Sequence, residues 1–435
     1  MPIVASTDDL VAQAMKAAAL LNGREVAVTV KFLADGITAV RAANPRTELR
    51  LLQRHLLEQI AYVETLKGEA QRLLKQRRPS IKEDQISAAD LKADPALVEL
   101  LGLRRAIWAL RRLGDSIALR LLEHDRFYVH VVGVGPHPGE VITKTGTAAE
   151  IARFEAEWDA GREAILHAVT SGLRLGDVSS RGADGWMPIE VKSDPRRRRG
   201  GGGQAARLKR AVAFLRSGID TSTAPPVVRC DFRTPFRHFL PVVADALDEA
   251  TRRGAASRRL DDFGNVLAID VRALGALTRD EGGRRIEEAW ERVALVPLDP
   301  PMTVRAWSGT KQRLSQFGVP YSSYPFAPEI CAALAVGYLS LTTVIDVRRI
   351  ERRLTEAGFE TTTILSETTS AWFRIRRGTQ WLTVPEEIGE RLLYEGMAPS
   401  SLEEALEELM SSPPAPGLDH CRIVPLFSGE SAVWL

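Results

Sequence analysis

The chain of 435 residues is long enough for two or three domains, and its 45% hydrophobic and 26% charged residues are typical of a globular protein. Its three widely separated cysteines argue against a disulfide framework or a cysteine-rich zinc site, and no apolar stretch is long enough to cross a bilayer. We therefore expect a cytoplasmic protein without a membrane partner. The formal net charge of +2 is unevenly distributed, because residues 194–216 contain eight Lys and Arg but one acidic residue. Such a basic stretch predicts a polyanionic partner.

The first region, residues 1–94, is predicted to be mostly helical. Apolar residues three and four positions apart predict helices over residues 8–21 and 48–75, with a β-rich segment over residues 25–33 between them. Pro79 ends the second helix, and the polar stretch up to residue 94 predicts a linker.

The second region, residues 95–233, alternates helices and strands. The predicted elements are a helix over 95–123, a strand over 127–134, a helix over 148–171, strands over 173–178 and 186–193 joined by a turn, a helix over 204–215 and a strand over 226–232. This order predicts a mixed α/β core in which helices flank a sheet.

The third region, residues 234–435, is predicted to be α/β as well. The helices are expected over 239–253, 284–294, 328–339, 346–357 and 401–410, and the strands over 266–271, 303–306, 361–365 and 372–376. This region carries no chemistry-bearing motif, so its role stays open. The whole chain also lacks the sequence patterns GxxxxGK[ST], GxSxG and HExxH, which excludes the usual signatures of P-loop, α/β-hydrolase and zinc-peptidase chemistry.

One group of charged residues in the second region predicts chemistry. Glu190 and Lys192 flank Val191 at the end of an apolar strand, so both charged side chains are expected on one face. If the two strands pair as a hairpin, Asp177 joins them in one cleft. Two carboxylates suit Mg²⁺, for which Mn²⁺ is expected to substitute, and the backbone carbonyl of Val191 is a natural further ligand.

Such a cleft is suited to phosphodiester hydrolysis. Lys192 would position or help deprotonate the attacking water, while the metal stabilises charge on the phosphate. The alternative is an ordinary exposed strand with a Glu–Lys pair on its surface.

With these residues, the segment 95–232 resembles the PD-(D/E)xK nuclease superfamily, which has a restriction-endonuclease-like fold. Its members place an acidic residue at a strand end, an Asp/Glu-x-Lys on the next strand and often a glutamine on the following helix, around one or two Mg²⁺ ions. Asp177, Glu190, Lys192 and Gln204 match these positions. The resemblance implies a metal-dependent nuclease, with DNA favoured over RNA as substrate and a role in host defence.

Two features depart from the family pattern or leave it open. Gly176 stands before Asp177 where the family has proline. The acid of the first core helix is assigned to Glu163 in preference to Asp115, and a solvated helix face is the favoured alternative for Glu163. Gln204 could instead cap its own helix.

Basic residues after the catalytic strand are the expected nucleic-acid contacts. They are Arg196, Arg197, Arg198, Arg199, Arg207, Lys209 and Arg210. Four glycines follow the first four arginines and allow close approach to phosphates, which arginine contacts without reading sequence. A solvated loop is the alternative for those four.

Two other functions remain open at this stage. The chain could be a non-catalytic nucleic-acid-binding or scaffold protein that keeps a nuclease-like fold, or a sensor whose activity lies in residues 234–435. Homo-oligomerisation or binding of a protein partner is expected through the N- or C-terminal region.

Overall fold

The computed structural model describes residues 24–43, 47–77, 94–135, 139–142, 144, 146–191, 202–223, 226–293, 303–307, 319–364, 371–378, 380–411, 422–429 and 433. These residues form a mixed α/β protein with several small sheets, as predicted. The chain divides into two compact units. Among the described residues, the first unit comprises those within 24–217 and 319–336, and the second unit comprises those within 218–307 and 337–433. The domain boundaries expected after residues 94 and 233 stay predictions.

Three helices begin the described part of the first unit. They are α1 (Arg24–Ala42), α2 (Thr47–Arg77) and α3 (Pro95–Leu121). The β-rich prediction for residues 25–33 is wrong, because Leu33, Ile37 and Val40 are buried at helical spacing and the helix continues back through the β-branched residues. The helices on either side of residue 94 share one core, in which Leu74 lies with Leu97. A predicted helix over residues 8–21 lies outside the described residues.

The end of α3 leads into a short helix rather than a strand. Helix α4 (Arg126–Val132) replaces the strand predicted over residues 127–134. Its Asp125 carboxylate accepts the backbone N–H of Tyr128 at 3.0 Å, which caps the helix and commits the β-rich sequence to helical geometry. A helix from a later part of the chain, α10 (Pro328–Val336), also belongs to the first unit and packs against α1.

A small antiparallel sheet lies between two further helices of the first unit. The elements are α5 (Thr147–Asp159), β1 (Ala164–Leu166), β2 (Val178–Gly182), β3 (Gly185–Ile189) and α6 (Gly202–Ser217), and the sheet order is β1-β2-β3. The helix predicted over residues 148–171 is only half right. It ends at Asp159, and Gly161 then adopts a φ of +75° that turns the chain into β1.

A hairpin is present near the predicted place, but its first strand is not the one predicted over residues 173–178. Only Val178 of that segment is in a strand, and the hairpin is formed by β2 and β3. Strands β2 and β3 pair directly across the Ala183-Asp184 turn, and Val178 lies opposite Ile189. The sheet therefore places the residues just before β2 beside the residues just after β3.

The second unit contains three small sheets with their flanking helices. One is β4 (Ile219–Asp220), β5 (Val227–Pro235) and β13 (Arg422–Ser428); another is β6 (Ala255–Leu260), β7 (Gly264–Asp270), β8 (Thr303–Trp307) and β9 (Leu339–Asp346); the third is β10 (Glu360–Thr363), β11 (Ala371–Arg377) and β12 (Gln380–Pro385). The helices are α7 (Leu240–Arg253), α8 (Val271–Gly275), α9 (Arg279–Glu291), α11 (Val347–Glu356), α12 (Glu386–Tyr394) and α13 (Pro399–Ser411).

The strand predicted over residues 226–232 is present as β5, but it pairs with β4 and β13 rather than with the sheet of the first unit. A restriction-endonuclease-like sheet that includes this strand is therefore not seen. Within the described residues, no helix combines the length and apolar composition needed to span a bilayer.

Candidate functional site

A glycine with an unusual backbone conformation directly precedes Asp177. Gly176 has a φ of +86°, and a Cβ at this position would lie 2.9 Å from the carbonyl oxygen of Ile189. Proline, whose ring fixes φ near −65°, could not occupy this position. Glycine thus permits the close approach of the chain to the end of β3 at this position.

Asp177 is held against the end of β3 through both its backbone and its side chain. Its N–H donates to the carbonyl oxygen of Ile189 at 2.8 Å, and its Oδ2 accepts the N–H of Val191 at 2.8 Å. The two residues that flank Glu190 are therefore both bonded to Asp177. This confirms the hairpin neighbourhood predicted for the two acidic residues, with Val191 half-buried rather than in the core.

A carboxylate that the sequence analysis did not select lies at the same place. Glu150, in the first turn of α5, is 2% exposed and forms an ion pair with Lys144 at 2.6 Å. The same Lys144 ammonium donates to Asp177 Oδ1 at 2.9 Å. One lysine thus joins two nearly buried carboxylates. Glu150 Oε2 is buried without a hydrogen-bond partner among the described residues.

The sequence did carry a signal for Glu150. Phe154 and Trp158 follow it at positions i+4 and i+8, and both are buried, so Glu150 continues the apolar stripe of α5. A carboxylate on the apolar stripe of an amphipathic helix is costly unless it has a partner or a ligand. The long helix predicted over residues 148–171 favoured Glu163, in its C-terminal half, instead.

The pKa values of Glu150 and Asp177 are shifted in opposite directions. Burial raises the pKa of Glu150 above its ordinary value, against the lowering effect of the Lys144 ammonium. Burial acts on Asp177 in the same direction, but the Val191 N–H and Lys144 outweigh it, so the pKa of Asp177 lies below its ordinary value. Hydrogen bonds to both carboxylates outweigh burial for Lys144 and raise its pKa. Asp177 is therefore the acid that ionises first.

Glu190 follows the last residue of β3, and α6 contributes its partner. Gln204, in the first turn of α6, donates from Nε2 to Glu190 Oε2 at 2.7 Å. A glutamine that binds a carboxylate orients it. The structure therefore brings Asp177, Glu190 and Gln204 to one end of the hairpin. Lys192 and the arginines of residues 196–199 lie outside the described residues.

The two acids considered for the first core helix have other contacts. Glu163 lies just before β1 and pairs with Arg181 at 3.1 Å. Asp115, on α3, accepts the N–H groups of Ser171 and Gly172 at 2.8 Å each and pairs with Arg112 at 3.1 Å. Asp115 thus fixes the turn that leads to β2, and of these three acids only Glu150 lies on α5.

A buried hydrogen-bonded chain lies behind Asp177. Tyr128 Oη and His167 Nε2 each lie 2.6 Å from Ser179 Oγ. The backbone N–H of His167 donates to the carbonyl oxygen of Asp177 at 3.0 Å. Burial lowers the pKa of His167 to about 4, so its ring is neutral near pH 7. This network of Tyr128, Ser179 and His167 therefore supports the backbone of Asp177 and places no charge beside it.

Helix α6, which begins beside Gln204, is rich in basic residues. Four cations and no acidic residue lie on α6, and Ala211 and Phe214 bury its apolar face. Arg207, Lys209 and Arg210, which we call the α6 cations, are exposed. No ion pair engages them among the described residues. Their contact with a polyanion stays a prediction.

The donor set fits a hard divalent cation. Asp177 and Glu150 provide carboxylate oxygens. Within the described part of the chain, the buried Glu150 Oε2 has no hydrogen-bond partner, as expected of an atom that a ligand completes. In the described part of the chain, no three His, Cys, Asp or Glu side chains lie close enough to form a ligand group. Mg²⁺ commonly takes only one or two protein carboxylates and keeps several waters.

Comparison with protein-family models, with curated proteins and with solved structures gives no match for this chain. The assignment of a function therefore depends on the geometry of the residues themselves.

Proposed function

We propose that the first unit is a metal-dependent nuclease of the PD-(D/E)xK type, which hydrolyses phosphodiester bonds. The observation that carries the proposal is the buried pair Glu150 and Asp177 at the end of the β2–β3 hairpin, beside Glu190. Stability alone does not account for two carboxylates buried with one ammonium, since a well-packed apolar group would often be as stable.

The order of elements supports the proposal. Helix α5, three antiparallel strands and α6 follow one another, with an acidic residue before β2, another after β3 and a glutamine at the start of the next helix. This arrangement matches the family description at Asp177, Glu190 and Gln204, and it adds Glu150 as the acid of the first core helix.

The residues divide the work of the proposed reaction. Asp177 and Glu150 would hold Mg²⁺ or Mn²⁺, and the hydrogen bond from Gln204 would fix the carboxylate of Glu190. A bound divalent cation supplies electrostatic stabilisation for the negative charge that develops on the phosphate. Lys192 is expected to position the attacking water, as its place in the Glu-x-Lys motif indicates.

The α6 cations are suited to hold the substrate. Arginine and lysine contacts to phosphate position a nucleic acid without reading its sequence. Duplex DNA remains the preferred substrate in this proposal because of the family resemblance, and a role in host defence is part of the same proposal.

A cleavage assay tests the function. Purified protein is incubated with supercoiled plasmid, linear duplex, single-stranded DNA and RNA, in Mg²⁺, in Mn²⁺ and in a chelator. We expect metal-dependent cleavage that is lost in Glu150→Gln, Asp177→Asn and Lys192→Ala. Glu163→Gln is the matched control and should cleave like the wild type, since its carboxylate pairs with Arg181. Cleavage that survives Glu150→Gln but not Glu163→Gln would return the role to Glu163.

One observation favours a second candidate, a nucleic-acid-binding protein without catalysis. Lys144 already neutralises part of the charge of Glu150 and Asp177, as it would in a site that no longer needs a metal. Such a protein would bind nucleic acid through the α6 cations, would not cleave it, and would bind no Mn²⁺ at the acid pair.

A further inference from the structure

We propose that Lys144 is the resident cation of the acid pair and that a divalent metal ion must displace its ammonium to bind. The inference rests on the proposed function, since it concerns how the same site takes up its metal. It assigns to Lys144 the control of metal affinity, which the Glu-x-Lys motif does not include.

The position of the ammonium is the first argument. Lys144 Nζ lies 2.6 Å from Glu150 Oε1 and 2.9 Å from Asp177 Oδ1, so it lies within hydrogen-bond distance of one oxygen of each carboxylate. The other oxygen of Asp177 accepts the N–H of Val191. A metal ion that binds both acids through side-chain oxygens that accept no backbone hydrogen bond therefore needs Asp177 Oδ1, which Lys144 holds. Ammonium and metal therefore compete for the same place.

Second, the ammonium leaves the hydrogen-bonding capacity of the acid pair partly unused among the described residues. Glu150 Oε2 is buried and has no hydrogen-bond partner among the described residues, although an ammonium group carries three donors. A divalent cation carries twice the charge and can bind a carboxylate through one or both oxygens. The pair is thus better matched to the metal than to the lysine, which makes an exchange favourable.

The third argument is the ease of displacement. The side chain of Lys144 is 43% exposed, whereas those of Glu150 and Asp177 are 3% and 11% exposed. The backbone of Lys144 is anchored separately, because Thr147 Oγ1 donates to its carbonyl oxygen at 3.0 Å. The four-carbon side chain can therefore rotate toward solvent while the start of α5 and both carboxylates stay in place.

Displacement also explains how a site with two buried carboxylates remains folded before metal arrives. Two like charges at close range repel, and each loses solvation on burial. Lys144 reduces both effects in the metal-free protein. Because the metal takes over this role, the contribution of Lys144 to stability should disappear when the metal is bound.

Mn²⁺ titration of the full-length chain tests the inference, read by calorimetry and by the electron paramagnetic resonance signal of free Mn²⁺. We expect Lys144→Met to bind Mn²⁺ at least about tenfold more tightly than the wild type, and Lys144→Arg, which keeps the charge, to bind no more tightly than the wild type. Lys75→Met, an exposed lysine on α2, is the charge-matched control and should bind like the wild type.

A second readout is thermal melting in chelator and in saturating Mn²⁺. Lys144→Met should melt below the wild type in chelator and should gain more from Mn²⁺ than the wild type does. If Lys144→Met does not fold, tight Mn²⁺ binding by Lys144→Arg, above that of the wild type, would still overturn the inference.

The outcomes separate this inference from the proposed function. Equal or weaker Mn²⁺ binding by Lys144→Met, beside a wild type that binds Mn²⁺, overturns the displacement alone. Absence of Mn²⁺ binding in the wild type and in Lys144→Met overturns both the displacement and the metal-dependent function.

Discussion

The close approach at Gly176 leads to a quantitative prediction for Gly176→Ala. At a φ of +86° an alanine is strained by about 1 kcal/mol, after allowing for the lower entropy of its unfolded chain. Its Cβ would also lie 2.9 Å from the carbonyl oxygen of Ile189, which is backbone and cannot rotate away. Forcing the strands apart adds about 1–3 kcal/mol, as for other overpacked sites. We expect a total loss of about 2–4 kcal/mol in the free energy of unfolding.

Gly185 provides a matched control in the same hairpin. Its φ is +90°, but a Cβ added there would meet no atom within 4 Å. Gly185→Ala should therefore lose only the conformational part, about 1 kcal/mol. The difference between the two variants isolates the contact with Ile189 from the backbone strain.

Urea unfolding of the two variants, followed by tryptophan fluorescence, measures this difference. Mn²⁺ titration of the folded proteins adds a second readout, because the Asp177 N–H donates to the same Ile189 oxygen that the new Cβ would displace. Gly176→Ala should weaken Mn²⁺ binding and Gly185→Ala should not. Equal losses of stability in the two variants, with equal Mn²⁺ binding, would refute the role of the close approach.

Further predictions concern the contacts around the acid pair. Gln204→Ala should lower the cleavage rate or the Mn²⁺ affinity by about 10–100-fold, because it removes the 2.7 Å hydrogen bond that orients Glu190; unchanged values of both would exclude this role. Asp115→Asn should cost about 2–4 kcal/mol in urea unfolding, since an amide places donors against the N–H groups that Asp115 accepts, while the folded protein should still bind Mn²⁺. Replacing the three α6 cations by serine should flatten the salt dependence of duplex DNA binding in chelator by about one to three units, measured by fluorescence anisotropy, and an unchanged slope would argue against phosphate contacts.

The sequence predicted long helices better than short elements. The helix over residues 48–75 and that over 95–123 were recognised because apolar residues repeat over many turns. The segments over residues 25–33 and 127–134 were assigned to strands from their β-branched and aromatic residues, but both are helical. Burial of one helical stripe and a capping carboxylate outweighed local strand propensity there.

The candidate site could be predicted only where its residues lie close in sequence. Asp177 lies just before β2 and Glu190 just after β3, and a tight turn joins these two strands, so a hairpin signal was enough to bring the two residues together. Glu150 lies 27 residues before Asp177, on a helix whose end was misjudged, and its contact depends on how α5 packs on the sheet. Lys144 lies between elements and has no periodic pattern that would reveal it.

Buried carboxylates elsewhere in the first unit indicate why Glu150 and Asp177 are assigned a function. Asp115 accepts N–H groups at the turn before β2, and Glu157 accepts Ser180 Oγ and pairs with two arginines at 2.6 Å each, so neither has a buried oxygen without a partner. The carboxylates of Asp115 and Glu157 therefore stabilise the fold. Glu150 is equally buried but shares its ammonium with another acid and keeps an oxygen without a hydrogen bond. An amide should therefore destabilise the protein at Asp115 or Glu157, whereas at Glu150 it should chiefly remove the affinity for a divalent metal ion.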